Sequence, residues 1–140
     1  MRRPRLALLN AAREPEQPRR NFRRELAADL VEFHVGGGEI PGDPAVDGVV
    51  VSGSQASVYW DEPWIGETVD WVRDAIEDGL PTLGVCFGHQ LVATALGGEV
   101  VGMGEYELGY REIAHDGDPL FAGLEDPFLA FTTHSDIVTT

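Results

Sequence analysis

The chain alternates short, continuous apolar runs with segments in which apolar residues recur every three or four positions. The first pattern is typical of strands buried in a parallel sheet, and the second is typical of amphipathic helices. The predicted strands are Arg5–Ala12, Val31–Val35, Val46–Val51 and Leu80–Val85, followed by shorter strands at Glu99–Met103, Tyr110–Ala114 and Phe128–Thr133. The predicted helices are Asn21–Leu30, Pro63–Asp78 and a third that follows Cys86 and ends at Gly97-Gly98. This order predicts an α/β fold with a doubly wound, mostly parallel open sheet in three layers, as in Rossmann- or flavodoxin-like proteins.

The helix predicted over Pro63–Asp78 has the clearest signals. Its apolar stripe comprises Ile65, Val69, Val72 and Ile76. Proline is well suited to the first turn of a helix, and a glycine followed by a proline ends one, as Gly79 and Pro81 do here.

A segment centred on the only cysteine carries the strongest chemical signal, Gly84-Val85-Cys86-Phe87-Gly88-His89-Gln90. It follows a predicted strand and opens a predicted helix, so Cys86 lies at an abrupt strand-to-helix turn. Such a turn crowds Cβ atoms and requires glycine at the neighbouring positions. A cysteine at a helix N-terminus is favoured as a thiolate, which makes Cys86 a candidate nucleophile. The alternative is a small buried hydrophobic residue, the commonest role of a lone cysteine.

A second polar segment follows the predicted strand that ends at Val51. It reads Ser52-Gly53-Ser54-Gln55-Ala56-Ser57-Val58-Tyr59. Because loops at the carboxyl ends of neighbouring parallel strands meet over one crevice, a backbone N–H of this loop is expected beside Cys86. Together with the N–H of Phe87 it would form an oxyanion hole. The alternative is an ordinary surface turn.

These segments resemble those of the class I, triad-type glutamine amidotransferases. The motif Gly84-x-Cys86-x-Gly88-x-Gln90 is the signature of that family, and the segment from Val51 to Trp64 is similar to the oxyanion strand of its GMP synthase-type members. Two further blocks, Glu107-Leu108-Gly109 and Thr133-His134-Ser135-Asp136, follow in the same order along the chain. The sequence departs from the family at Ser54-Gln55, where Gly-Pro is usual.

The resemblance implies hydrolysis of the glutamine side-chain amide through a cysteine thioester, with the ammonia delivered to a synthetase. It assigns Cys86 as nucleophile and the backbone of Ser54 and Phe87 as the oxyanion hole. It places Gly53, Gln90, His134 and Ser135 in the glutamine pocket. The alternative for Gln90 is an ordinary residue on the helix surface. No metal and no cofactor are implied, and Gly102-Met103-Gly104 is too short for a nucleotide-binding loop.

The family also carries a His-x-Glu pair, in which the histidine activates the cysteine, and the four histidines of this chain lack it. None of His34, His89, His115 and His134 has Glu two residues later. In an extended segment, His134 and Asp136 would project in parallel about 7 Å apart, which is unfavourable for a hydrogen-bonded dyad. The expectation is therefore a single amidotransferase-like domain, residues 1–140, that is incomplete at its C-terminus. The competing function is a catalytically incompetent fragment or a non-catalytic binding module.

Charge is the second unusual property. The chain has 24 acidic and 10 basic residues, a net charge of -14, and no lysine. Eight of the ten arginines fall within residues 1–24. A lysine-free acidic surface is typical of salt-in halophiles, although an acidic protein from a GC-rich genome is the alternative.

This composition also limits which partners and which cellular location are expected. Nucleic acid is not an expected partner of so acidic a surface. No apolar stretch is long enough for a membrane span or a signal-peptide core, and a lone cysteine agrees with a reducing compartment, so a cytoplasmic location is expected.

Overall fold

The computed structural model describes residues 2–139 and contains six strands and three α-helices in that range. The strands are β1 (Arg5–Leu9), β2 (Asp29–Phe33), β3 (Gly48–Val51), β4 (Thr82–Gly84), β5 (Val100–Ile113) and β6 (Phe128–Val138). The helices are α1 (Glu16–Glu25), α2 (Pro63–Glu77) and α3 (Phe87–Ala95). The described chain divides into two compact units, residues 2–101 with 137–139 and residues 102–136.

The first unit is built on a parallel sheet with the strand order β2-β1-β3-β4. All four residues of β3 are buried, as are the last three of β1, because these central strands are covered on both faces. The predicted fold, a mostly parallel sheet with flanking helices, is confirmed. At the carboxyl ends of β3 and β4, the loops that follow them lie next to each other.

Helix α2 agrees with its sequence signals. It begins at Pro63 and buries Ile65, Val69 and Val72 together with Thr68 and Ala75, whereas Ile76 is only partly buried. The chain leaves the helix through Gly79 at φ +87°, a conformation that favours glycine. The α2 helix packs against α3 and so supports the helix that carries the candidate site.

The prediction for the first helix was wrong in its bounds. Asn21–Leu30 was expected, whereas α1 spans Glu16–Glu25 and contains Pro18 in its first turn. Proline is tolerated there because the N–H it lacks has no intrahelical partner in the first turn. The segment after α1 joins the sheet instead, since the N–H of Asp29 donates to Pro4 O at 2.8 Å and β2 begins at that residue.

The second unit is a two-stranded ribbon of β5 and β6. Two separate strands were predicted where β5 runs without a break, because Gly104 and Gly109, at φ +81° and +136°, are accommodated within it. Contacts between Glu107 and His134 and between Gly109 and Thr132 show that the strands are antiparallel. One face of the ribbon exposes large apolar side chains, those of Tyr106, Leu108, Tyr110, Leu129 and Phe131.

Within residues 2–139, no helix has the length and apolar character that crossing a membrane requires.

Candidate active site

Cys86 occupies the turn between β4 and α3 in a strained backbone conformation. Its φ is +55° and its ψ is -113°, and it is the only non-glycine residue of the described chain with a positive φ. Such a conformation is costly for a residue with a Cβ and persists where the surrounding structure enforces it. The side chain is exposed, so the alternative of a buried structural cysteine is wrong.

The two flanking glycines allow this turn to form. A Cβ on Gly84 would lie 2.4 Å from Gly88 O, and a Cβ on Gly88 would lie 2.1 Å from Val51 O. The N–H of Val85 donates to the same Val51 oxygen at 3.0 Å. The turn is therefore held against the carboxyl end of β3, and only hydrogen fits at positions 84 and 88.

The loop after β3 approaches Cys86 at Gly53. A Cβ placed on Gly53 would be 3.6 Å from the Cβ of Cys86, so its backbone lies beside the cysteine. The neighbouring Ser54 accepts a hydrogen bond on Oγ from the N–H of Ala56 at 3.1 Å. Ser54 has no positive φ, so serine occupies this position without the backbone strain that would demand glycine.

Ser52 holds this loop in place, a role that the sequence did not indicate. Its buried hydroxyl accepts from the N–H of Ala11 at 2.8 Å and donates to Gly53 O at 3.0 Å. Its own N–H donates to Leu9 O at 3.0 Å. These bonds join the ends of β1 and β3, and only the adjacency of the two strands makes the role visible.

Helix α3 brings two more predicted residues to this region. Phe87 is its first residue, so its N–H is one of the helix N–H groups that lack an intrahelical partner. The Phe87 ring is buried and packs against Trp64 with 5.7 Å between ring centroids. Gln90 is buried, and its N–H donates to Cys86 O at 3.1 Å, so it is not a helix-surface residue. His89, between them, is exposed.

The remaining predicted residues, His134 and Ser135, lie on β6 in the second unit. His134 Nε2 is 3.2 Å from Glu107 Oε2 on the neighbouring strand. The Thr132 hydroxyl, the Arg111 guanidinium and the charge of His134 together hold the pKa of Glu107 below its usual range. Glu107 is thus an ionised partner for His134. The sequence did not indicate this contact, because the two residues are far apart along the chain.

The described residues contain no group of three or more His, Cys, Asp or Glu side chains suited to a metal ion.

Comparison with known proteins relates this arrangement to a family. The family model described as glutamine amidotransferase class-I matches residues 22–140. The chain is similar to a GMP synthase [glutamine-hydrolyzing] of Thermomicrobium roseum, with 41% identity over 90 residues, 64% of this chain and 16% of that protein. A GMP synthase of Lactobacillus delbrueckii subsp. bulgaricus is 37% identical over 97 residues, which cover 68% of this chain and 18% of that protein. The chain thus spans less than a fifth of the length of either relative.

Solved structures agree in fold. A glutamine amidotransferase from Thermotoga maritima matches with a TM-score of 0.81 and 20% identity, over 99% of this chain and 64% of that one. A glutamine amido transferase from Methylobacillus flagellatus matches with a TM-score of 0.71 and 22% identity, over 99% of this chain and 57% of that one. The turn at Cys86 and the loop at Gly53 lie inside the segment that the family model matches, and this chain belongs to the class I glutamine amidotransferase family.

Proposed function

We propose that this chain is a glutaminase domain of the GMP synthase type, which hydrolyses the side-chain amide of glutamine and supplies ammonia to a synthetase. The observation that carries the proposal is the exposed Cys86 at φ +55°, beside the backbone of Gly53 and at the start of α3. A nucleophile held at a strained strand-to-helix turn next to backbone N–H groups suits acyl transfer.

The proposed reaction begins with the thiolate of Cys86. Its sulfur attacks the side-chain carbonyl carbon of glutamine, and the carbonyl electrons move onto oxygen. The N–H groups of Ser54 and Phe87 stabilise this oxyanion. Collapse of the tetrahedral intermediate breaks the C–N bond, and the nitrogen leaves as ammonia after it gains a proton. Water then cleaves the thioester and releases glutamate, which returns the thiolate.

In the first unit, Gly53 and Gln90 are the residues proposed to bind glutamine. Gln90 lies one turn after Cys86, and its N–H donates to Cys86 O at 3.1 Å, so the two residues are close in space. For His134 and Ser135, on β6, the same role rests on the family resemblance alone. The contact with Glu107 supports an ordered ring for His134, since a carboxylate that accepts from Nε2 fixes the orientation of the imidazole.

The alternative of an incompetent fragment or a binding module is not favoured. The relatives that align with the chain at 41% and 37% identity are named as glutamine-hydrolysing synthases. A pure binding role would also not require the strained backbone at Cys86.

Labelling with a glutamine analogue tests the proposal without requiring turnover. An analogue that carries a chloroketone in place of the side-chain amide should alkylate Cys86, the only thiol of the chain. Added glutamine should protect Cys86 from this alkylation. Gln90→Ala should slow this labelling about tenfold, because the variant loses one hydrogen bond to the bound analogue. As a control, the same variant should react with iodoacetamide at the wild-type rate, because the thiol itself is unchanged. A wild-type Cys86 that reacts only after denaturation, or an analogue rate unaffected by Gln90→Ala, would contradict the proposal.

We also propose that the protein works in the cytoplasm at high salt. Outside residues 1–24 the chain carries 22 acidic residues and two arginines, so self-repulsion opposes the compact state. Because the screening length falls from about 10 Å at 0.1 M salt to about 3 Å at 1 M, the melting temperature should rise over that range. Circular dichroism melts in sodium chloride measure it. The double variant Asp74→Asn/Glu77→Gln should show a smaller rise, and an unchanged wild-type melting temperature would refute the high-salt interpretation.

A further inference from the structure

A cleft of about 670 Å³ lies in the first unit, and Ser54 is the only residue of the proposed glutamine site that lines it. Its walls come from the loops after β1, β2 and β3 and from the first turns of α2. The lining includes Arg13, Gly36, Ser54, Trp60, Trp64 and Glu67, with Glu62 at the start of the helix. We propose that this cleft is a second binding site, one that takes an organic cation with an ammonium group attached to a flat apolar body.

The cleft lies where open α/β sheets bind ligands. In the strand order β2-β1-β3-β4, the chain passes from β1 to one neighbour and later returns to the other. The crevice between the carboxyl ends of β1 and β3 is therefore the topological switch point of the sheet. The lining contains Ser54, Gln55 and Ala56 but neither Gly53 nor Cys86, so the cleft shares Ser54 with the proposed oxyanion hole and does not include the cysteine.

The charges in the cleft favour a cation. Across residues 2–139, neither Glu62 nor Glu67 forms an ion pair with a basic side chain, and Arg13 forms none with an acid. Two unneutralised carboxylates thus outweigh one guanidinium. Glu62 precedes α2 without capping it through its side chain, so its carboxylate is available to a ligand.

The glycine segment of the cleft offers little to an anion. The N–H groups of Gly36, Gly37 and Gly38 already donate to Asn10 O, His34 O and Val35 O at 3.2, 3.0 and 2.9 Å. A concave nest of free N–H groups, the usual backbone site for an anion, is therefore not available from this glycine segment.

The two tryptophans favour a cation that carries a flat apolar group. Trp60 is 50% exposed, and Trp64 is held in place by its contact with Phe87. Indole faces attract ammonium groups and stack on flat rings, and carboxylates beside them strengthen the attraction. A hard metal ion is a poor match, because such ions take six or more oxygen ligands and the cleft presents two carboxylates.

Calorimetric titration with phenethylammonium, 2-phenylethanol and 3-phenylpropionate at constant ionic strength tests the site. These probes share a ring and differ in charge, and we expect the cation to bind tightest and the carboxylate weakest. Glu62→Gln/Glu67→Gln should weaken phenethylammonium binding about tenfold, and Trp60→Ala should weaken it by a similar factor. Asp74→Asn/Glu77→Gln removes the same charge from α2 outside the cleft and should change the affinity by less than about twofold.

The variant Arg13→Ala tests whether the cleft prefers a cationic ligand. If the ligand is a cation, removal of the guanidinium should leave its affinity unchanged or increase it. A loss of more than about threefold would overturn the cation assignment, as would equal binding of the alcohol and the ammonium probe. If the cleft double variant and its control lost the same affinity for phenethylammonium, the loss would come from the net charge of the protein and not from the cleft. That result would overturn the site. Binding should persist in Cys86→Ala, so a failure here is distinguishable from a failure of the glutaminase proposal.

Discussion

Alanine at position 88 is expected to lower the free energy of unfolding by about 3 kcal/mol or more. The added methyl would stand 2.1 Å from Val51 O and 2.7 Å from Val51 C, and both atoms belong to the backbone of a fully buried strand. Neither α3 nor β3 can shift without disturbing the turn at Cys86. Urea denaturation followed by circular dichroism measures the change.

Gly66 provides the matched control. It lies inside α2, and a Cβ there would have no neighbouring atom within 4 Å. Gly66→Ala should therefore stabilise the protein by about 0.5 to 1 kcal/mol, since alanine is the better helix former. If Gly88→Ala were tolerated as well as Gly66→Ala, the close approach of α3 to β3 would be wrong.

The second large effect concerns turnover. Residues 1–140 contain no His-x-Glu, so the proposed glutaminase activity requires a base supplied from outside these residues. We therefore expect a polypeptide of residues 1–140, assayed alone, to release glutamate from glutamine at a negligible rate. Fusion to a segment of a class I relative that bears His-x-Glu should raise the rate by about 10³-fold or more, because loss of a triad member costs that much. Cys86→Ala in the fused protein should remove this activity again.

Two controls make this experiment decisive. A fusion in which the histidine of the added segment is replaced by alanine should be as slow as residues 1–140 alone, which separates catalysis from mere stabilisation of the fold. Rapid, Cys86-dependent turnover by residues 1–140 would show that they already contain the base. His134, with its Glu107 partner, and His89 would then be the first residues to replace.

Local chemistry was predictable because it depends on spacing along the chain. The glycines at 84 and 88 indicated a sharp turn at Cys86, and the structure places that residue at φ +55° between a strand and a helix. Helix α2 was likewise predictable from Pro63 and its apolar stripe, because capping and periodicity are local properties.

The first helix and the later strands were less predictable because tertiary contacts set their limits. Helix α1 ends earlier than the sequence pattern indicated, since pairing with β1 draws Asp29 into the sheet. Two short predicted strands become the single strand β5, because pairing with β6 carries the backbone through Gly104 and Gly109.

The sequence by itself determined the fold class and the sharp turn at Cys86 with its glycine neighbours, since apolar periodicity and a seven-residue motif specify them locally. Only the tertiary structure decided what lies beside them. The hydroxyl of Ser52 joins β1 to the loop at Gly53 because those strands are adjacent in space. The pairing of His134 with Glu107 depends on the register of β5 and β6. The cleft between the ends of β1 and β3 arises from the strand order, because the loops after these strands diverge where the order of the strands along the sheet reverses.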